Sequence, residues 1–244
     1  MNTILFDLDG TLLPMDQEKF MELYLRLLTT HFLPYMPPDL FRNRLFEGTD
    51  RMLKNEGCEV SNEKVFYETF FRDHEENAEK MMEAFFAFYE NDFDQVQSST
   101  RRNESMIHAV ETLRSKGYQL AVATNPLFPL MAVKKRIRWA GLLPEHFQLI
   151  TSFESMHACK PNPDFYAEVL QMLGAKPQQT LMVGNDARED LAAGTLGIRT
   201  YLVTDCLLQE NRMINKPDHQ GSSDDFLVFV QKLPALCGKE NDGE

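Results

Sequence analysis

Ile4-Leu5-Phe6-Asp7-Leu8-Asp9-Gly10-Thr11-Leu12 carries an apolar run straight into two acids, spaced i and i+2, and then into a glycine turn. Buried parallel strands read as continuous apolar runs, and open α/β sheets bind their ligands at the carboxyl ends of such strands. Two carboxylates this close repel each other unless a cation or a shared proton relieves them. Both remedies point to chemistry. Acidic turns with glycine are also ordinary loop punctuation, so the reading rests on the segments that answer this one.

Working outward, residues 119–123, 180–183 and 199–203 are apolar runs of the same kind, and a shorter, weaker one covers 148–151. Helical patterns alternate with them. Ile107, Val110 and Leu113 recur at helical spacing, with Gly117 as a C-terminal stop. Phe165, Val169 and Leu173 form a second stripe, opened by Asn162-Pro163 and closed by Gly174. Residues 191–196 continue a helix that starts just after Gly184-Asn185-Asp186. This β-α alternation predicts an α/β fold with a doubly wound, Rossmann-like parallel sheet.

Between residues 15 and 97 the strand-like runs vanish. Phe20, Leu23, Tyr24, Leu27 and Leu28 make one amphipathic face, Pro34, Pro37 and Pro38 break the next segment, and Gly48 and Gly57 mark a loop. Phe66, Phe70, Phe85, Phe86, Phe88 and Tyr89 then supply an aromatic stretch, read as a small helical core and not as a cofactor box. The predicted organisation is an α/β core made of 1–14 and 98–244, with an all-helical module of 15–97 inserted after the first strand. The tail 238–244 is expected to fray.

A chain of 244 residues with 43% apolar and 11% aromatic residues fills a real core. A net charge of −12 argues against nucleic acid or an anionic membrane surface as the main partner. Cys58, Cys159, Cys206 and Cys237 show no metal spacing and read as reduced thiols filling core or surface. No apolar run approaches membrane-spanning length, and no basic leader precedes Thr3, so a cytoplasmic protein is expected, a monomer or weak homodimer. His31, His74, His108, His146, His157 and His219 share no ligand spacing, and Arg101-Arg102 and Lys134-Lys135-Arg136 read as solvated helix faces.

Four polar groups fall at or just beyond predicted strand ends: Asp7 with Asp9, Thr124-Asn125, Lys160 ahead of Pro161, and Asp186 with Asp190. A doubly wound sheet gathers them into one crevice. Carboxylates and backbone carbonyls are the ligands Mg²⁺ prefers. A hydroxyl, amides and a lysine are what a phosphate dianion needs. One carboxylate facing phosphorus can attack it, and a second, two residues on, can protonate the leaving oxygen and then deprotonate water.

With these four motifs in this order, from Thr3 to Leu202, the sequence resembles the haloacid dehalogenase-like (HAD) superfamily, the inserted module resembling its helical C1 cap. The resemblance implies a Mg²⁺-dependent phosphomonoester hydrolase that acts on a small phosphorylated metabolite through an aspartyl-phosphate. Asp7 would be the nucleophile and a Mg²⁺ ligand. Asp9 would be the general acid/base, its backbone carbonyl also a ligand, and Asp186 the third protein ligand. Asp190 would hold metal-bound waters or Lys160, while Thr124, the Asn125 amide and Lys160 bind the phosphoryl group. Some C1-capped members place a residue from a glycine-containing cap loop over the site, which makes Arg51, in Gly48-Thr49-Asp50-Arg51, a candidate substrate contact. Asp9 speaks against dehalogenases and phosphonatases, which replace it. Mutases of the β-phosphoglucomutase type carry Glu-Asp where this chain has Asn185-Asp186, and remain an alternative. A non-catalytic phosphate-binding or regulatory relative is the other alternative, although such relatives usually lose one of the acids.

Overall fold

The computed structural model describes residues 1–56 and 59–236. Gly57, Cys58, Cys237 and the tail 238–244, on which a loop marker, two thiols and the expected fraying fell, lie outside the described residues. Six strands form one wholly parallel sheet: β1 (Thr3–Phe6), β2 (Gln119–Val122), β3 (Leu149–Ile150), β4 (Thr180–Gly184), β5 (Arg199–Val203) and β6 (His219–Gly221), in the order β3-β2-β1-β4-β5-β6. The chain builds outward from β1 through β2 to β3, then returns to the other side of β1 for β4. That reversal is the switch point at which open α/β sheets form their ligand crevice. β1, β4 and most of β2 and β5 are buried, as their continuous apolar runs require. β6 escaped the sequence reading. It is a polar edge strand paired in register with β5, with the His219 ring stacked on that of Tyr201 at 6.2 Å.

Between β1 and β2 every described element is helical, the main ones being α1 (Gln17–Phe32), α2 (Pro38–Leu53), α3 (Asn62–Phe70), α4 (Ala78–Ala87) and α5 (Glu104–Ser115). α1 buries Phe20, Tyr24 and Leu28, the stripe expected of it. Phe66, Phe70, Phe85, Phe88 and Tyr89 are buried in a web of ring contacts, such as Phe70 to Phe85 at 5.0 Å, whereas Phe86 is exposed. The predicted loop at Gly48 is instead the interior of α2, where Gly48 lies so close to Phe66 that an added Cβ would sit 2.7 Å from the ring. Two neighbouring chain crossings join this helical segment to the sheet: Asp16 N–H donates to the Ser99 carbonyl at 2.9 Å, and Arg101 N–H to that of Pro14 at 3.0 Å.

On the sheet side stand α6 (Leu130–Trp139), α7 (Pro163–Leu173) and α8 (Ser223–Lys232). α7 begins and ends as its sequence dictates, with the Asn162 side chain capping the Asp164 N–H, Pro163 in the first turn and Gly174 left-handed at φ 60°. Residues Asp190–Leu196 form a 3-10 helix where a continuing helix was expected. α6 corrects a second reading. Its buried side includes Ala132, Val133, Arg136 and Ile137, so Arg136 is not a solvated residue but wholly buried. No helix among the described residues is long and apolar enough to cross a membrane.

Candidate active site

Phe6 is in register with Val122 of β2 and Val183 of β4, so the chain leaves all three strands at one edge. The Asp7 N–H donates to the Val183 carbonyl at 2.9 Å and the Ala123 N–H to that of Phe6 at 2.7 Å, which fixes the following residues side by side. Asp7, Asp9, Thr124, Asn125, Asp186 and Asp190 line a single crevice of about 290 Å³. Lys160 lies beneath it, fully buried, and its Nζ donates to Asp7 Oδ1 at 2.9 Å and to Asp190 Oδ1 at 2.7 Å. The other Asp190 oxygen accepts the Asp186 N–H at 2.9 Å. Asp190 therefore ties Lys160 to the loop after β4, besides being the acid in the first turn of a helical segment.

Two glycines make this convergence possible. Gly10 is left-handed, φ 88°, and a Cβ there would fall on the Asn185 amide; a Cβ at Gly184 would fall on the Asp190 carboxyl. Asn185 in turn accepts from the Thr11 hydroxyl at 2.8 Å and donates to the Cys206 carbonyl at 2.7 Å. The first and fourth motifs are thus bolted together by side chains.

Charge is unbalanced in the crevice. Among the described residues, the five carboxyl groups of Asp7, Asp9, Asp186, Glu189 and Asp190 have two cations paired with them, Lys160 and Arg136. Burial drives the Asp7 carboxyl from 3.8 to about 8; Lys160 opposes that shift, and Asp190 and Asp9 add to it. Lys160 is desolvated as well, yet Asp190 and Asp7 outweigh that loss and hold its ammonium well above the usual lysine range. Both directions follow from one cation serving two carboxyl groups: Lys160 has two such partners, whereas Asp7 shares its one cation with Asp190 and is left partly uncompensated. Glu189, whose side chain accepts from the Asn125 amide at 3.1 Å, is pushed by burial to about 7, with Lys160 opposing.

Asp9 has a different cation as its partner. One of its oxygens is ion-paired with the buried Arg136, whose guanidinium also lies 4.3 Å from the centre of the Phe128 ring. Its other oxygen is buried without a hydrogen-bond partner. The Thr124 hydroxyl makes no hydrogen bond within the described residues, although its carbonyl accepts from Thr151 at 2.7 Å. The Asn125 side chain does different work from its amide: it accepts from the Lys160 N–H at 3.2 Å and so straps the Lys160 loop to the end of β2. Arg51 is not brought here. It lies on the exposed side of α2, about 200° around the helix from Thr49, and lines neither this crevice nor the apolar cavity beside it.

Among the described residues no three His, Cys, Asp or Glu side chains form a ready metal cage. The donors present are nonetheless hard oxygens. Asp186 uses one oxygen to accept the Arg188 and Glu189 N–H groups, both at 2.8 Å, and leaves the other uncommitted; Asp7 lies across the crevice. The Asp9 carbonyl accepts no hydrogen bond from the described residues. Mg²⁺ commonly takes one or two carboxylates and keeps several waters, so this set fits it. Glu189, Arg136 and Phe128 were missed in the sequence. Only Arg136 left a signal there, at i+3 from Val133 and i+4 from Ala132, on the stripe that faces inward.

Fold and site define an α/β protein with an acid-lined, lysine-floored crevice at its switch point. A family model described as haloacid dehalogenase-like hydrolase matches residues 1–196, and the chain belongs to that family. It is 24% identical over 212 residues to the pyrophosphatase PpaX of Bacillus cereus (strain AH820), the match covering 83% of each chain. Among solved structures, a HAD phosphatase from Thermococcus onnurineus superposes with a TM-score of 0.60 at 20% identity, covering 97% of this chain and 100% of that one. The L-2-haloacid dehalogenase of Xanthobacter autotrophicus gives 0.56 at 18%, covering 96% and 99%. Such neighbours share the fold and differ in chemistry, so the reaction must be argued from the side chains.

Proposed function

We propose that this protein is a Mg²⁺-dependent phosphomonoester hydrolase acting on a small phosphorylated metabolite through an aspartyl-phosphate. The observation that carries the reading is the Lys160 ammonium bonded at once to Asp7 and Asp190, beside the Thr124 hydroxyl, which has no hydrogen-bond partner among the described residues. A cation, a hydroxyl and the Asn125 N–H at one sheet edge beside a carboxylate would make a seat for a phosphoryl group with a nucleophile under it. When bound, Mg²⁺ would be held by Asp7, Asp186 and the Asp9 carbonyl, and would neutralise charge on the phosphoryl oxygens.

The chain's own residues supply the rest. An Asp7 oxygen attacks phosphorus; the bond to the alcohol oxygen breaks, and that oxygen takes a proton from Asp9. Asp9 then accepts a proton from water, whose oxygen attacks the aspartyl-phosphate and releases inorganic phosphate, restoring the Asp7 carboxylate. Asp9 keeps one oxygen on Arg136, so the other, without a partner in this structure, is the one free to carry the proton. Arg136 thereby orients the acid. The helical segment 15–97 acts as a lid, entering and leaving through the paired crossings at 14–16 and 99–101.

The test is phosphate release from a panel of phosphomonoesters, with and without EDTA. Release that needs Mg²⁺ and falls by about four orders of magnitude in Asp7→Asn is expected. Turnover surviving in that variant removes Asp7 as nucleophile. Accumulation of a phosphorylated sugar isomer, without free phosphate, would point to the mutase chemistry instead.

A further inference from the structure

Beside the acid-lined crevice lies a second cavity, of about 150 Å³, partly open to solvent, between the helical segment and the sheet side. Leu127 and Phe128 line both spaces, so one wall is common to them. A single guanidinium separates that wall from Asp9, since Arg136 touches the Asp9 carboxylate and stacks on the Phe128 ring. The rest of the lining comes chiefly from aromatic and aliphatic side chains of α1 to α4, among them Phe66, Tyr67 and Phe85, with Phe153 from the sheet side. Protein interiors are close-packed, and an apolar void of this size is one that a benzene ring fills.

The lining chemistry is selective. It contains no Asp, Glu, Lys, Arg or His. A second phosphate or a carboxylate placed there would lose its water and meet no countercharge. The hydroxyls present are almost all spent: Tyr24 and Tyr89 bond to each other at 2.8 Å, and Thr49 donates to the Leu45 carbonyl at 2.8 Å. Only Tyr67 keeps a hydroxyl with no hydrogen bond among the described residues. A sugar carrying several hydroxyls would leave most of them unpaired, whereas a ring with at most one polar substituent loses nothing.

We infer that this cavity receives the organic half of the substrate and selects a monoester of a compact aromatic alcohol over sugar phosphates, phosphoglycolate and pyrophosphate. The inference rests on the phosphatase reading and adds the substrate class. Seated this way, the phosphoryl group lies over Asp7 and Lys160, Asp9 stands at the bridging oxygen, and the ring passes Phe128 into the cavity.

Benzyl phosphate and glycerol 3-phosphate both leave as primary alcohols, so their comparison isolates recognition from leaving-group reactivity. With Mg²⁺ present, kcat/KM for benzyl phosphate should exceed that for glycerol 3-phosphate by about tenfold or more, the effect of burying one ring. In Thr49→Phe and, separately, Leu45→Trp, which fill the cavity, the ratio measured within each protein should fall towards one, mainly through KM. Phosphate release with no preference for the benzyl ester overturns the inference and leaves the hydrolase reading standing. No release from any monoester overturns the hydrolase reading, and binding then decides the cavity's role. Calorimetry of benzylphosphonate against methylphosphonate should still show about tenfold tighter binding of the ring compound, and equal affinities overturn the inference.

Discussion

Arg136 and Asp9 form an unequal pair, and the inequality predicts how each responds to mutation. The Arg136 side chain is wholly buried, whereas that of Asp9 is 28% exposed. Removing Asp9 strands a buried cation; removing Arg136 leaves an anion that water still reaches. Asp9→Ala should therefore cost about 3 kcal/mol, as for a buried charge losing its partner, which is about 6–12 °C in Tm for a chain of this size. Arg136→Met should cost about 1–2 kcal/mol, the scale of a lost charge-assisted hydrogen bond, and Asp9→Ala/Arg136→Met should regain most of what Asp9→Ala alone loses. Calorimetric melts of the three variants check this, and equal losses in both single variants would show that the pair is not held as described. Asp9 announced itself in the sequence because two acids at a strand end demand explanation. Arg136 did not: a basic triplet resembles a solvated face until the inward stripe of α6 is counted through it. Glu189 was hidden for another reason, since Asp186 and Asp190 bracket it and only the Asn125 contact shows where its side chain points.

At the scale of elements, legibility followed burial. β1, β2, β4 and β5 have interiors that exclude water on both faces, so their apolar runs read through. β3, with two residues in ladder, left only the short, weak run at 148–151, and β6, His219-Gln220-Gly221, is a polar edge strand with no apolar run to find. α2 was misread because glycine has two meanings. Gly48 suggests a turn, yet the turn never comes; what the position needs is the absence of a Cβ where α3 packs. Two effects then compete in Gly48→Ala. Helix propensity gains about 1 kcal/mol, while a methyl group 2.7 Å from the Phe66 ring overfills the contact, at about 1–3 kcal/mol. Phe66 is only 5% exposed and is stacked on Phe70 at 5.5 Å, so it has little room to retreat. Overpacking should win, lowering Tm by about 2–6 °C, whereas Gly48→Ala/Phe66→Leu should recover it. A rise in Tm for Gly48→Ala alone would mean that Phe66 yields freely. Arg51 was singled out on the same assumption, that Gly48 opens a loop, whereas it lies within α2 and lines neither cavity.

Across the whole molecule, the crevice couples folding, protons and the proposed metal. Burial raises the Asp7 carboxyl from 3.8 to about 8, with Lys160 opposing, so the folded chain without metal holds that proton over a pH range in which the unfolded chain has released it. The sign follows. The stability contributed by this group is fully present below about pH 4 and is lost as pH rises through about 8, because between those values the unfolded state binds fewer protons. A divalent cation seated against Asp7 must displace the same proton, so its binding strengthens as pH rises and releases protons into solution. Mg²⁺ should accordingly raise Tm more at pH 8 than at pH 6, and Asp7→Asn should abolish both the stabilisation and its pH dependence. Differential scanning calorimetry at fixed ionic strength, with Ca²⁺ or Mg²⁺ against EDTA, reads this directly. An equal Mg²⁺ shift at pH 6 and pH 8 would place the ion away from Asp7. Because the five carboxyl groups of this crevice have two cations paired with them among the described residues, the same experiment also reports whether the excess negative charge is a standing cost to the fold that the metal relieves.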